Sequence, residues 1–124
     1  MSRILIIDDD PQLGRSLERV LQREGHVCDL ASDPAIACET AALFRPDLVL
    51  IELQPEHVSS LPRLQDVVGP VPFLFMAGHH EDFARLGELV RSFDDWLAKP
   101  AAPQEFVVRV RTALRRARPE TDEN

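Results

Sequence analysis

The chain has 124 residues, 44% of them hydrophobic, which suits one domain with a single core. A formal net charge of −7 argues against general nucleic-acid binding, and no apolar run reaches the roughly 18 residues that a membrane helix needs. The N-terminus runs directly into Arg3 and a short strand, which leaves no room for a signal peptide.

Ile4-Leu5-Ile6-Ile7 is a continuous apolar run and reads as a central strand, ending on Asp8 and Asp9. Asp10 looks like an N-cap with Pro11 at the first helical position. Leu13, Leu17, Val20 and Leu21 then give one apolar helix face, and Gly25 is placed to end the helix. Val27 to Ala31 is a short second strand. Asp33-Pro34 repeats the cap-and-proline device for a second helix running to about Phe44, with Ile36, Thr40, Ala41 and Phe44 as its thinner apolar face. Cys28 and Cys38 lack C-x-x-C spacing and read as small buried hydrophobes in a reducing compartment.

Residues 47 to 52 form the stretch that organises the rest: a buried strand entered after Pro46 and left on Glu52. Gln54 to His57 reads as a loop. A third helix from about Ser59 carries Leu61, Leu64, Val67 and Val68, with Pro62 confined to its first turn. Gly69-Pro70 breaks the chain, and Val71 to Met76 is the fourth strand. Phe83, Leu86, Leu89 and Val90 mark a fourth helix. Trp96 to Ala98 is a fifth strand ended by Lys99-Pro100. Phe106, Val107, Val110, Ala113 and Leu114 mark a last helix, which Pro119 stops. Alternating strands and helices of this kind predict an α/β fold, a parallel sheet covered on both faces.

In such a sheet, ligands bind outside the carboxyl ends of the strands. That places Asp8, Asp9, Glu52 and Lys99 together at one edge. Adjacent carboxylates repel unless a cation lies between them, which points to a hard cation such as Mg²⁺. The competing reading makes Asp8 to Asp10 simple helix caps, although Asp10 alone would suffice for that. His79-His80 reads as a surface loop rather than a metal pair, and His26 and His57 have no partner in the sequence. The arginines at 109, 111, 115, 116 and 118 read as a solvated basic helix end rather than a nucleic-acid contact.

The runs Ile4-Leu5-Ile6-Ile7-Asp8-Asp9-Asp10, Arg45-Pro46-Asp47-Leu48-Val49-Leu50-Ile51 and Asp95-Trp96-Leu97-Ala98-Lys99-Pro100 resemble the receiver domain of two-component response regulators. The match covers residues 3 to 118. It makes 1–118 the domain and 119–124 a disordered tail or the start of a linker. The resemblance implies a flavodoxin-like (βα)5 fold, a five-stranded parallel sheet in the order 2-1-3-4-5. It also implies a bacterial cytosolic location. In the family an Asp ending the third strand accepts a phosphoryl group, an acidic pair binds Mg²⁺, and a Thr or Ser and a Lys contact the phosphoryl oxygens. Asp8 and Asp9 match the acidic pair, Lys99 the lysine (with a cis bond to Pro100 implied) and Trp96 the switch aromatic.

Two positions depart from the family pattern: the acceptor is Glu52 and the hydroxyl position is Met76. The Met-Pro and Asp-Gly elements usual after the acceptor are missing from Gln54 to Ser60. Asp47 cannot substitute, since it lies about 16 Å away at the other end of the strand. Glu moves the carboxylate forward by about 1.5 Å, whereas preorganised sites tolerate about 0.5 Å. Met76 forfeits a charge-assisted hydrogen bond of roughly 1.5–3 kcal/mol.

The sequence therefore predicts an atypical receiver that works as a protein-interaction module without acyl-phosphate chemistry and is not an enzyme. No cofactor is required, and Mg²⁺ at Asp8, Asp9 and Glu52 is admitted. A Glu52–Lys99 ion pair is expected to hold one conformation, the alternative being that Glu52 only balances local charge. The expected interaction face comprises the fourth helix, fifth strand and fifth helix, with Phe83 and Trp96. It would engage a protein partner, an output domain or a second copy, with no nucleic acid and no membrane. The rival reading is a working receiver phosphorylated on Glu52 with Mg²⁺. A flavodoxin-like cofactor binder lacks any phosphate-cradling loop after the first strand.

Overall fold

A strand buried on both faces needs apolar side chains at every position, because alternate residues point to opposite sides of the sheet. The apolar runs behave accordingly. The structure is a computed structural model that describes residues 1–52, 54–77, 95–98 and 102–117, with only the main chain at 95, 96 and 98. Its strands are β1 (Arg3–Ile7), β2 (Val27–Ala31), β3 (Leu48–Glu52), β4 (Phe73–Ala77) and β5 (Asp95–Ala98). They form one parallel sheet in the order β2-β1-β3-β4-β5. The expected order is thus observed. The fourth helix with Phe83, the His79-His80 pair, Lys99-Pro100, the side chain of Trp96 and the tail after Ala117 lie outside the described residues. So does the expected Glu52–Lys99 ion pair.

The pleat divides the core into two layers. Leu5, Ile7, Val49, Ile51, Phe73, Phe75 and Ala77 face one side, where they meet helix α2 (Pro34–Phe44) and helix α3 (Leu61–Val68). Ile4, Ile6, Leu48, Leu50, Leu74, Met76 and Leu97 face the other side, against helix α1 (Pro11–Arg23) and the C-terminal helix Pro103–Ala117. Each fully buried Leu, Ile or Phe stabilises the fold by about 1.5–3 kcal/mol, so these two layers are the main favourable term.

Local signals set the helix ends. Asp10 accepts from Gln12 N and Leu13 N, and Asp33 accepts from Ile36 N, each with Pro at the start of its helix. Gly25 takes φ 89 just after α1, the left-handed turn that ends a helix. Arg45 takes the same kind of conformation after α2, at φ 55, although it is not glycine.

Three expectations need correction. Gln54 to His57 is not a plain loop: Pro55–Ser60 is a 3-10 helix leading into α3, with His57 N donating to Gln54 O at 2.9 Å. Pro55 fixes φ at its first position, which favours that turn. The fourth strand begins at Phe73 rather than Val71, because Val71 N turns back to Gly69 O and Pro72 has no N–H to pair. The strand extends to Ala77, which pairs with Ala98. Ile36 is 51% exposed; α2 buries Pro34, Ala37, Cys38, Ala41 and Phe44 instead. Arg111, Arg115 and Arg116 of the C-terminal helix are exposed, and Arg111 also pairs at the surface with Glu24 at the end of α1 at 2.9 Å.

Candidate functional site

Ile7 and Ile51 are register partners, so the residues that follow β1 and end β3 emerge side by side at the carboxyl edge. Glu52 is in turn the register partner of Met76. Met76 is fully buried in the layer with Leu74, Leu97 and Phe106.

The three consecutive aspartates take three roles. Asp10 caps α1 with its Oδ1. Asp8 is buried, and its Oδ1 accepts from Asp10 N at 2.9 Å, while its own N–H donates to Ala31 O. Asp9 is exposed and turns toward β3, where Gln54 Nε2 donates to its Oδ2 at 3.3 Å. The same Nε2 donates to Glu52 Oε1 at 3.4 Å. Asp8, Asp9 and Glu52 each offer a carboxylate oxygen within 4.8 Å of the other two. Capping by Asp10 alone leaves Asp8 and Asp9 available to this cluster, which the sequence could only pose as an alternative.

The donor set suits a hard cation. Octahedral Mg²⁺ at about 2.1 Å from each oxygen sets neighbouring ligands about 3.0 Å and opposite ligands about 4.2 Å apart, so the three carboxylates would draw together around it. Asp8, Asp9 and Glu52 would hold such an ion, which would neutralise their mutual repulsion and polarise a phosphoryl oxygen.

Asp47 lies at the opposite end of β3. It accepts from Arg3 N at 2.7 Å and its N–H donates to Arg3 O, tying the start of β3 to β1. Its part is structural. The Nδ1 atoms of His26 and His57 are buried with no hydrogen-bond partner among the described residues. Burial, the N-terminal amine and Arg111 lower the His26 pKa, and Glu24 opposes them. Sequence reasoning did not single out Gln54. A polar residue two positions beyond the strand end was the only signal for it.

A 2-1-3-4-5 parallel sheet with acids at its carboxyl edge is the architecture of CheY-like α/β proteins. Residues 4–111 match the sequence profile of the response regulator receiver domain. The chain belongs to that family. It is 32% identical over 123 residues to the response regulator MprA of Mycobacterium avium, covering 97% of this chain and 54% of that protein. It is 33% identical over 124 residues to the MprA of Mycobacterium ulcerans, covering 98% of this chain and 53% of that protein. The chain thus spans about half the length of these curated relatives. Among solved structures it is similar to a two-component response regulator from Clostridium difficile, with a TM-score of 0.82 and 26% identity over 96% of this chain and 100% of that one. The receiver domain of Francisella response regulator 1452 shares the fold, with a TM-score of 0.80, 21% identity, and coverage of 95% and 100%. Receiver domains typically use Mg²⁺ with a cluster of acidic residues, and Asp8, Asp9 and Glu52 form such a group here. No described helix is long and apolar enough to cross a membrane.

Proposed function

We propose that this receiver signals as a protein-interaction module that does not depend on an acyl phosphate. The observation that carries this reading is the Glu52–Met76 register pair, which stands where the resemblance expects an acceptor Asp and a hydroxyl. Met76 is wholly buried and carries no hydroxyl to donate. Glu52 projects a longer carboxylate into a site whose chemistry depends on in-line placement. A protein partner or output domain is the occupant the resemblance implies. The face proposed for it comprises the fourth predicted helix, β5 and the C-terminal helix, with Trp96 as the switch aromatic and Phe83 as a contact aromatic. A cytosolic location in bacteria follows from the same resemblance.

A second reading is favoured by the clustering of Asp8, Asp9 and Glu52 oxygens within 4.8 Å, which preserves a cation site beside the acceptor position. In that reading Glu52 is itself phosphorylated. The test is incubation with acetyl phosphate and Mg²⁺ followed by intact-mass spectrometry, with Glu52→Asp alongside. The expected result is no gain in the natural chain. A gain of one phosphoryl group there would replace the first reading with the second. A gain in Glu52→Asp alone would assign the loss to one methylene.

A further inference from the structure

Helix α2 is apolar almost all round: of its 11 residues, only Glu39 is charged and only Thr40 is otherwise polar. A helix of that composition is expected to be covered on every side. The sheet and α3 cover one side, where Ala37, Cys38, Ala41 and Phe44 are buried. The other side faces outward. Leu43, at 88%, is the most exposed large apolar side chain among the described residues, and Ile36 is 51% exposed. Two turns separate Ile36 from Leu43, so they lie on one stripe, with Glu39 between them and the exposed Ala35 and Ala42 beside it.

We propose that this stripe seats a second copy of the chain, α2 packed against α2 about a two-fold axis. The face is complementary to itself when the two helices run antiparallel. With the axis between Glu39 and Thr40, Ile36 of each copy meets Leu43 of the other, the isologous contact that a two-fold requires. Ala35 and Ala42 let the backbones approach closely. The helix ends match in charge. Asp33 caps the start of α2 and Arg45 follows its end. Antiparallel packing brings Asp33 of each copy level with Arg45 of the other, to about 1.5 Å along the axis, and sets opposed helix dipoles side by side. Glu39 falls beside the axis, where its stem covers apolar surface and its carboxylate stays in water. One helix pair buries less than the roughly 1,200 Å² of a standard interface, so the dimer is weak and concentration-dependent. α2 and the C-terminal helix pack on opposite sides of the sheet, so this pairing leaves the C-terminal helix open to the partner proposed above.

Sedimentation of the whole chain at concentrations up to about 1 mM tests this, with Leu43→Glu and Val108→Glu compared. Leu43→Glu should weaken self-association at least about tenfold, because each dimer buries two copies of that side chain. Leu43 is exposed, so the variant should keep its fold, which an unchanged melting temperature checks. Val108→Glu adds the same charge at an exposed position of the C-terminal helix and should leave the dimer intact. A monomer at every concentration would overturn the proposal and leave the stripe to a different partner. Loss of the dimer in Val108→Glu rather than Leu43→Glu would also overturn it, by assigning self-association to the C-terminal helix. Mixing Ile36→Cys and Leu43→Cys chains under mild oxidation reads the register. A disulfide should join position 36 to position 43, since facing positions come within bonding reach while like positions stand about 10 Å apart along the axis. Equal or greater linkage within either variant alone would overturn the antiparallel pairing.

Discussion

Glu52 and Met76 are register partners at the carboxyl ends of β3 and β4, yet they sit in opposite surroundings. Glu52 is half-buried and hydrogen-bonded to Gln54, whereas Met76 has no exposed surface and fills the layer against the C-terminal helix. The methionine is therefore a core residue at a position where the resemblance expects a site residue. Restoring a hydroxyl by Met76→Thr should cost about 2–4 kcal/mol, from lost buried volume and a hydroxyl placed in apolar surroundings. Urea unfolding checks this. A loss below about 0.5 kcal/mol would mean that the hydroxyl finds a partner at the sheet edge.

Arg45 ends α2 in the left-handed region at φ 55, with its N–H bonded to Ala41 O at 2.9 Å. A side chain there carries a steric penalty that glycine avoids. Arg45→Gly should stabilise the domain by about 0.5–1 kcal/mol, read as a rise in melting temperature. A fall would show that the Arg45 side chain makes compensating contacts.

Arg3 holds the end of the same helix. Its Nε donates to Phe44 O at 2.6 Å and its guanidinium carbon lies 4.4 Å from the Phe44 ring centroid. This satisfies a terminal helix carbonyl and adds a cation–π contact. Arg3→Met keeps a long apolar stem and loses both, and should cost about 1–2 kcal/mol in chemical denaturation. Asp33→Ala tests the other end of α2. Loss of the 2.9 Å bond to Ile36 N should cost about 1 kcal/mol, most of it recovered by Asp33→Asn.

The Cys28 thiol is pushed up to about 11, first by burial and then by the nearby Glu18 carboxylate. The folded state therefore favours the protonated thiol. Its stabilising effect is fully present below the ordinary thiol value of 9.0 and is lost as pH rises through about 11. The chain contains no Tyr and a single Lys, so few other groups titrate in this window. Melting temperature should fall between pH 9 and 11 in the natural chain, and less steeply in Cys28→Ala. Equal slopes would remove Cys28 as the cause. Alkylation of Cys28 at pH 8 should also be slow, because the thiolate is the reactive form.

The sequence by itself determined the five strands, the caps at Asp10 and Asp33, and the departures at Glu52 and Met76. Each of these signals lies within a few consecutive residues: an unbroken apolar run, an aspartate before a proline, an acid at a strand end. Boundaries were less legible where local preference competed with pairing, as at Val71 and Pro72, which precede β4 rather than begin it. Helix faces were misread where both sides are apolar. α2 carries Ile36 outward at 51% exposure and Leu43 at 88%, while small residues such as Ala37 and Ala41 pack inward against the sheet. Only the tertiary structure showed that Asp8 turns back to Asp10 N while Asp9 reaches Gln54, and that oxygens of Asp8, Asp9 and Glu52 lie within 4.8 Å of one another. It alone joined Gln54 to Asp9, Arg3 to Phe44 and Arg111 to Glu24. Those partners are 45, 41 and 87 residues apart along the chain. Parallel pairing of β1 with β3, and packing of the C-terminal helix against α1, bring them together. Contacts of that range leave no periodic trace in the sequence, because they depend on where whole elements dock rather than on what stands beside each residue.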